Sequence, residues 1–422
     1  MTRRTLNTVA SCADAESAET LSVNAARQHI LAGITPIGTL ERLALRDALD
    51  RILAQTIVSP IDVPGHTNSA MDGFALAAED LPQASIDLKL IGTVQAGARF
   101  NGCCKRGQCV GIMTGAPMPA GTDTVVMQEQ ARLIGEDLVR IGPGHRPGQN
   151  VRQVGEDIAR GESVLEPGRR LTPADLGVLA SLGYGEVSVR RRPRVAFFST
   201  GDELRGVGES LREGEIYDSN RYSLYGMLRR AGAEPLDLGV VKDDPTALQQ
   251  TFSEAARSAD LVISSGGVSV GGADYTKSVL QTCGEMAFWQ IAMKPGRPLT
   301  FGRLQQALFF GLPGNPVAVM VTFYQFVLPA LHRLAGATEY RPFTLNASSE
   351  GEIRKRPGRF EFLRGELRQT ETGDYSVAGL GQQGSGILTS MSRGNCFILL
   401  DADCDGVKPG ERVMVQPFAT LV

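Results

Sequence analysis

Histidine and tryptophan are scarce in this chain of 422 residues, at four and one. Against 46 acidic residues, so few imidazoles point to chemistry carried by carboxylates, lysine and bound metal. The seven cysteines, at 12, 103, 104, 109, 283, 396 and 404, form no C-x₂-C pair. Neither a zinc site nor a disulfide framework is therefore indicated, and a reducing cytoplasm is the natural setting. No basic segment followed by an apolar core opens the chain. The longest apolar run, around Pro316 to Leu331, is broken by Thr322 and Gln325, so neither a signal nor a membrane span is expected. Positive charge is not in surplus either. A net charge of −3 argues against nucleic acid as the main partner and leaves local basic clusters to meet any anionic substrate. No internal repeat or long low-complexity tract is present.

What is present reads as an ordinary globular composition, 42% hydrophobic and 21% charged. At about 150 residues per domain the length implies about three domains, with a range of two to four. Residues 1 to 20 read as a variable leader. Apolar residues recur at helical spacing from Val23 to Leu53, best in Thr39 to Leu49, which predicts a helical element. Short β-rich runs follow from about 58 to 160, and Thr172 to Leu182 is helical with Pro173 in its first turn. Residues 194 to 335 then alternate strand (194–199, 236–241, 260–264) with helix (219–231, 245–258, 275–283), ending in strands and a helix after Asn315, the pattern of a parallel α/β sheet. After Arg341, short strands between turns predict a compact β-barrel-like C-terminal domain.

Three loops leave the α/β segment at strand ends, where parallel sheets bind ligands. In Ser265-Gly266-Gly267-Val268-Ser269-Val270-Gly271-Gly272-Ala273-Asp274, four glycines let backbone N–H groups converge on an anion. A carboxylate beside an anion implies a divalent cation such as Mg²⁺ between Asp274 and phosphate oxygens, although glycines also serve plain tight turns. Ser199-Thr200-Gly201-Asp202-Glu203 places a hydroxyl pair, a glycine and two acids after another strand; either acid could equally be a first-turn residue favoured by a helix dipole. In Leu312-Pro313-Gly314-Asn315-Pro316, Asn315 can cap a helix that starts at Pro316, with or without a ligand at its free N–H groups. Asp244 reads as the N-cap before Pro245, which leaves Asp243 to face the pocket as metal ligand or base. Lys294-Pro295-Gly296-Arg297 offers the cations of an oxyanion site. In the β-rich region, Asp72 of Asn68–Ala75 and Asp157 of Gly155-Glu-Asp-Ile sit in acidic loops, for which a turn is also an adequate account.

Together, Asn68–Ala75, Ile112-Met-Thr-Gly-Ala-Pro-Met-Pro, Val125-Val-Met-Gln-Glu-Gln, Gly155-Glu-Asp-Ile, Phe198-Ser-Thr-Gly-Asp-Glu-Leu, Ile216-Tyr-Asp-Ser-Asn-Arg, Ser264–Lys277, Met293-Lys-Pro-Gly-Arg-Pro and Gly311-Leu-Pro-Gly-Asn-Pro closely resemble the MoeA family of molybdopterin molybdenumtransferases, related to the E domain of gephyrin. The resemblance covers about residues 22 to 422. It implies a multidomain α/β protein: an elongated N-terminal domain (22–57 with 161–192), a β-rich domain (58–160), a MoaB/MogA-like three-layer α/β domain (193–340) and a C-terminal β-barrel-like domain (341–422). It further implies insertion of molybdate, as co-substrate, into adenylylated molybdopterin with Mg²⁺-dependent release of AMP, in a cytoplasmic homodimer. Contacts with the molybdopterin adenylyltransferase and with cofactor-accepting enzymes would follow, without nucleic acid or membrane.

By motif, Glu203 and Asp274 resemble the metal-binding acids, with Asp243 close by. Asp72, Asp157, Asp243 and Lys294 resemble the catalytic set, the first two serving a neighbouring subunit's site. Ser265, Gly266, Gly267, Gly314 and Asn315 resemble the nucleotide and phosphate cradle, and Thr114, Ser199, Thr200, Gly201, Ser269 and Arg297 further binding residues. Lys294, Arg364 of Phe362-Leu-Arg-Gly and Ser385 of Gln383-Gly-Ser-Gly resemble the groups that receive molybdate. One departure is Gln290, where close bacterial relatives often carry lysine. A molybdopterin adenylyltransferase or CinA-like hydrolase shares the Ser-Gly-Gly-Val sheet domain but requires neither Asp72, Asp157 nor the C-terminal domain. A scaffold role, as in gephyrin, would call for a long linker or tail, and none is visible.

Overall fold

A computed structural model describes residues 20–266, 279, 282–338 and 340–420. The chain forms two compact units, one of residues up to Glu41, Asp50–Ile52 and Val189 onward, the other of Arg42–Leu49 and Leu53–Ser188.

The first unit is built on a six-stranded sheet in the order Glu234–Val241, Arg194–Thr200, Leu261–Ser265, Ala307–Leu312, Pro298–Leu304, Gly284–Gln290. The first four strands are parallel and the last two antiparallel. Leu261–Ser265 and Ala307–Leu312 are buried at every position, as a sheet covered on both faces demands. The period-2 alternation of side chains sends Val195, Phe197, Ile263 and Phe310 to one apolar cluster and Ala196, Phe198, Val262 and Phe309 to another. Helix Asn220–Arg230 adds Leu224, Met227 and Leu228 to the first cluster, and helix Pro245–Ser258 adds Leu248, Phe252 and Ala255 to the second. The result is the expected three-layer α/β arrangement. Helix Pro245–Ser258 starts as the sequence predicts: Asp244 accepts a hydrogen bond from the Ala247 N–H at 2.9 Å, and Pro245 occupies the first turn.

The apolar run after Asn315 is one helix, Pro316–Leu334, with a π-helical turn over Phe323–Val327. By length and composition it could cross a membrane, but 83% of its most apolar window is buried within this unit. Val317, Val321, Phe326 and Leu331 all belong to the first cluster, which makes it the central helix of a core.

Beyond Arg341 the chain closes a five-stranded barrel from Leu345–Ser349, Phe360–Gln369, Tyr375–Gly379, Cys396–Leu400 and Arg412–Pro417. Val377, Ile398, Val413 and Val415 fill it. Met293–Lys294 adds as a short strand alongside Phe360–Glu361, fixing Lys294 to the barrel rim.

The second unit carries its own six-stranded sheet, ordered Thr124–Met127, Gly73–Leu76, Gln108–Ile112, Ile86–Val94, Leu138–Ile141, Ala131–Ile134, with an apolar cluster on each face. Its helix Pro173–Ser181 begins with a reciprocal capping box between Thr172 and Asp175.

The N-terminal expectation is corrected. Helix stops at Ala32, and Thr39–Leu49 is a strand, Leu40–Ala44, followed by one 3₁₀ turn, Leu45–Ala48. Tertiary pairing overrides the helical spacing: the Leu45 N–H donates to Gly185 O at 2.9 Å rather than back along its own chain, and Arg42 pairs with Glu186. Leu40 and Leu49, which looked like one apolar face, are exposed. The helix expected at 275–283 lies largely outside the described residues.

Candidate active site

In-register pairing aligns the ends of the parallel strands. Thr200 lies opposite Val241, Ser199 opposite Ser265, and Ser265 opposite Leu312. The loops that follow therefore open on one side of the sheet, where they and the barrel segment Gln383–Leu388 surround a cavity of about 970 Å³. Of the expected residues, Thr200, Gly201, Glu203, Asp243, Ser265, Gly266, Lys294, Arg297, Gly314, Asn315 and Ser385 all line it.

The cradle depends on close backbone approach. Gly266 has φ +93°, and a Cβ there would sit 2.5 Å from Thr200 O, so no other residue fits without displacing the neighbouring strand end. Its N–H donates to Leu312 O at 3.1 Å, locking the middle loop against the third strand. Gly201, with φ +150°, lies under the Glu203 carboxylate, whose oxygens would be 2.7 and 2.8 Å from an added Cβ. The chain after Thr200 forms no helix. It turns into the short strand Leu204–Arg205, which sets aside the first-turn reading of Asp202 and Glu203.

Asn315 occupies the N-cap position before Pro316, yet its side chain makes no capping bond. The Val317 N–H instead donates to Ser385 O at 3.0 Å, so a barrel carbonyl closes the helix start and draws Ser385 to the cavity. Lys294 Nζ stands 3.4 Å from Glu361 Oε2. Arg364 is fully buried and off the cavity wall: its Nε donates to Ser390 Oγ at 3.0 Å and a terminal nitrogen to Gly384 O at 3.1 Å. Burial lowers its pKa from the ordinary guanidinium value. Arg364 thus holds up the Gln383–Leu388 wall from behind. Ser199 is also buried, with its Oγ unpartnered. Gly267, Ser269 and Asp274 lie outside the described residues.

In the second unit, Asp72 and Thr114 come together. Asp72 Oδ1 accepts from both the Thr114 N–H and its hydroxyl at 2.7 Å, and these two bonds, the backbone one first, hold the carboxyl below its ordinary pKa. Asp157 is exposed, with its N–H bonded to Val63 O.

Several wall residues escaped sequence reasoning. Asp218, Asn220, Arg359 and Gln383 line the cavity, and Asp218 is almost wholly buried. The signal for the first two is the segment Ile216-Tyr-Asp-Ser-Asn-Arg, which carries the family resemblance but gives its polar residues no task by local pattern alone. Arg359 has no local signal, because barrel topology alone brings it to the cavity. The described wall residues include Lys294, Arg297 and Arg359 as well as Glu203, Asp218 and Asp243, a mixed lining suited to an anion accompanied by a cation.

The fold and site together define a three-layer α/β protein with a ligand-sized cavity at its strand ends, closed on one side by a C-terminal barrel. Family models match most of the chain: MoeA N-terminal region (domain I and II) over residues 21–183, a probable molybdopterin binding domain over 196–333, and MoeA C-terminal region (domain IV) over 346–418. A molybdopterin molybdenumtransferase of Haemophilus influenzae is 43% identical over 403 residues, 95% of this chain and 100% of that protein. One from a Nostoc species is 38% identical over 86% of both chains. The crystal structure of a molybdopterin biosynthesis MoeA protein from Pyrococcus horikoshii matches with a TM-score of 0.82 and 31% identity, over 94% of this chain and 100% of that one. The chain belongs to the MoeA family.

Proposed function

We propose that the protein is a molybdopterin molybdenumtransferase of molybdenum cofactor biosynthesis. It inserts molybdate into adenylylated molybdopterin and releases AMP. The observation that carries this reading is the mixed lining of the strand-end cavity, whose wall includes a backbone cradle, three cations and three well-separated carboxylates, in a family whose curated members bear that name. In it, Gly266, Gly314, Asn315 and Ser265, with Gly267 and Ser269, hold the nucleotide phosphate. Lys294 and Ser385 receive the molybdate dianion, and Arg364 keeps the Ser385 segment in place. A small tetrahedral dianion calls for such N–H, hydroxyl and ammonium donors.

The donor set fits Mg²⁺. Among the described residues no three His, Cys, Asp or Glu side chains converge, but Mg²⁺ asks only for one or two carboxylates, substrate phosphates and water. Glu203, folded over Gly201, would hold it with Asp274, and Asp243 stands on the same wall. Bound there, the ion would offset phosphate charge between these acids and the adenylyl group.

The proposal extends to a cytoplasmic homodimer of four-domain subunits in which Asp72, Thr114 and Asp157 complete a neighbour's site. It extends also to contacts with the adenylyltransferase that supplies the substrate and with the enzymes that accept the cofactor. Incubation with adenylylated molybdopterin, molybdate and Mg²⁺ should release AMP. A folded protein that releases none under those conditions is not this transferase.

A further inference from the structure

Asn220 is the first residue of helix Asn220–Arg230. Its Nδ2 donates two hydrogen bonds, to Ser265 Oγ at 2.9 Å and to Gly314 O at 2.7 Å, and so ties together two of the strand-end loops. The orientation of the amide is not arbitrary, because Gly314 O can only accept and must face the NH₂ side. Asn220 Oδ1 is then left buried with no partner.

The consequence falls on Ser265. A hydroxyl has one proton to give. With a lone pair engaged by Asn220 Nδ2, Ser265 keeps that proton for another group, and the described residues give it no acceptor. We infer that Asn220 is a positioning residue of the oxyanion cradle: it holds the Ser265 hydroxyl as a donor toward the phosphate of the bound nucleotide and fixes the Gly314 loop opposite. Its Oδ1, buried without a partner, marks what that orientation costs the fold. The nature of the anion rests on the transferase reading; the donor geometry does not.

The test is a double-mutant cycle on AMP binding by calorimetry, with melting temperatures recorded for each variant. Asn220→Ala and Ser265→Ala are each expected to weaken AMP about tenfold, the worth of one charge-assisted hydrogen bond. In the Ser265→Ala background most of the Asn220→Ala loss should disappear. Asn220→Asp, of the same shape, should be worse than Asn220→Ala, because its carboxylate takes the Ser265 proton and repels the anion. Equal losses in both backgrounds, or Asn220→Asp binding AMP as well as the wild type, overturn the inference, and the isosteric variant keeps the test readable if the alanine variant melts early. Wild-type protein that binds AMP yet fails to release it from adenylylated molybdopterin overturns the transferase reading alone and leaves the cycle to be read on its own.

Discussion

A single methyl group at Gly266 would collide with Thr200 O at 2.5 Å in a left-handed conformation that already disfavours a side chain. Gly266→Ala is therefore expected to lower stability by more than about 1 kcal/mol and to abolish AMP binding, read by thermal denaturation and calorimetry. Arg364→Met should cost about 2 to 3 kcal/mol by removing the buried guanidinium's hydrogen bonds to Ser390 Oγ and Gly384 O, and should raise the molybdate concentration needed for half-maximal AMP release. Asp72 offers a pH test. Its folded pKa is depressed, so its contribution to stability is present above the ordinary carboxylate pKa and lost as pH falls through the folded value. Thr114→Val removes one of the two bonds responsible and should move the Asp72 titration, followed by NMR, toward the ordinary value. An unmoved titration would show that the hydroxyl contributes nothing. At this scale the sequence marked eleven of the wall residues, because glycine, acid and hydroxyl clusters at strand ends are local signals. It did not separate Arg364 behind the wall from Lys294 on it, since which side chain reaches a cavity is decided by packing across the barrel.

Helix Pro316–Leu334 carries a polar seam through an apolar core. Arg27 donates to Gln325 O at 3.2 Å and to Gln325 Oε1 at 2.9 Å, and Gln325 Nε2 donates to Gln416 Oε1 at 3.0 Å. The N-terminal helix, the π-helical turn and the last barrel strand are joined by this chain of bonds. Gln325→Leu should destabilise by about 2 to 4 kcal/mol, measured by denaturant titration, because it leaves the Arg27 guanidinium, whose pKa burial already lowers, without its side-chain partner. A loss below 0.5 kcal/mol, about the scale of a surface change, would mean the seam is dispensable. Elements with both a start signal and a period were legible: Pro245–Ser258 follows from Asp244-Pro245 and its apolar spacing. Thr39–Leu49 was not, because its leucine spacing suits a helix while its hydrogen bonds go to a distant segment.

Across the molecule, shared sites have a distinctive signature. If Asp72 acts in a neighbour's cavity, mixing inactive Asp72→Asn and Glu203→Gln subunits should restore about a quarter of wild-type AMP release, since each mixed dimer regains one intact site. No recovery after exchange of subunits would place Asp72 and Glu203 in the same site or outside any. The architecture itself was legible in outline, from the alternation of 194–335 and the turn-rich text after Arg341. That the strand-end loops share one side followed from a parallel sheet, whereas the barrel residues that join them did not, because they arrive through pairings between strands distant in sequence.

The buried helix also bears on how the chain reaches its fold. Until the strands on either side are in place, Pro316–Leu334 is a stretch with a mean hydropathy of 1.4 emerging from the ribosome, and apolarity over that length is what membrane-insertion machinery reads. The Thr322 hydroxyl is satisfied within its own turn by Ala318 O, whereas Gln325 meets Gln416 Oε1 only once the last barrel strand has been synthesised, so the polar group at the middle of this segment waits longest for its partner.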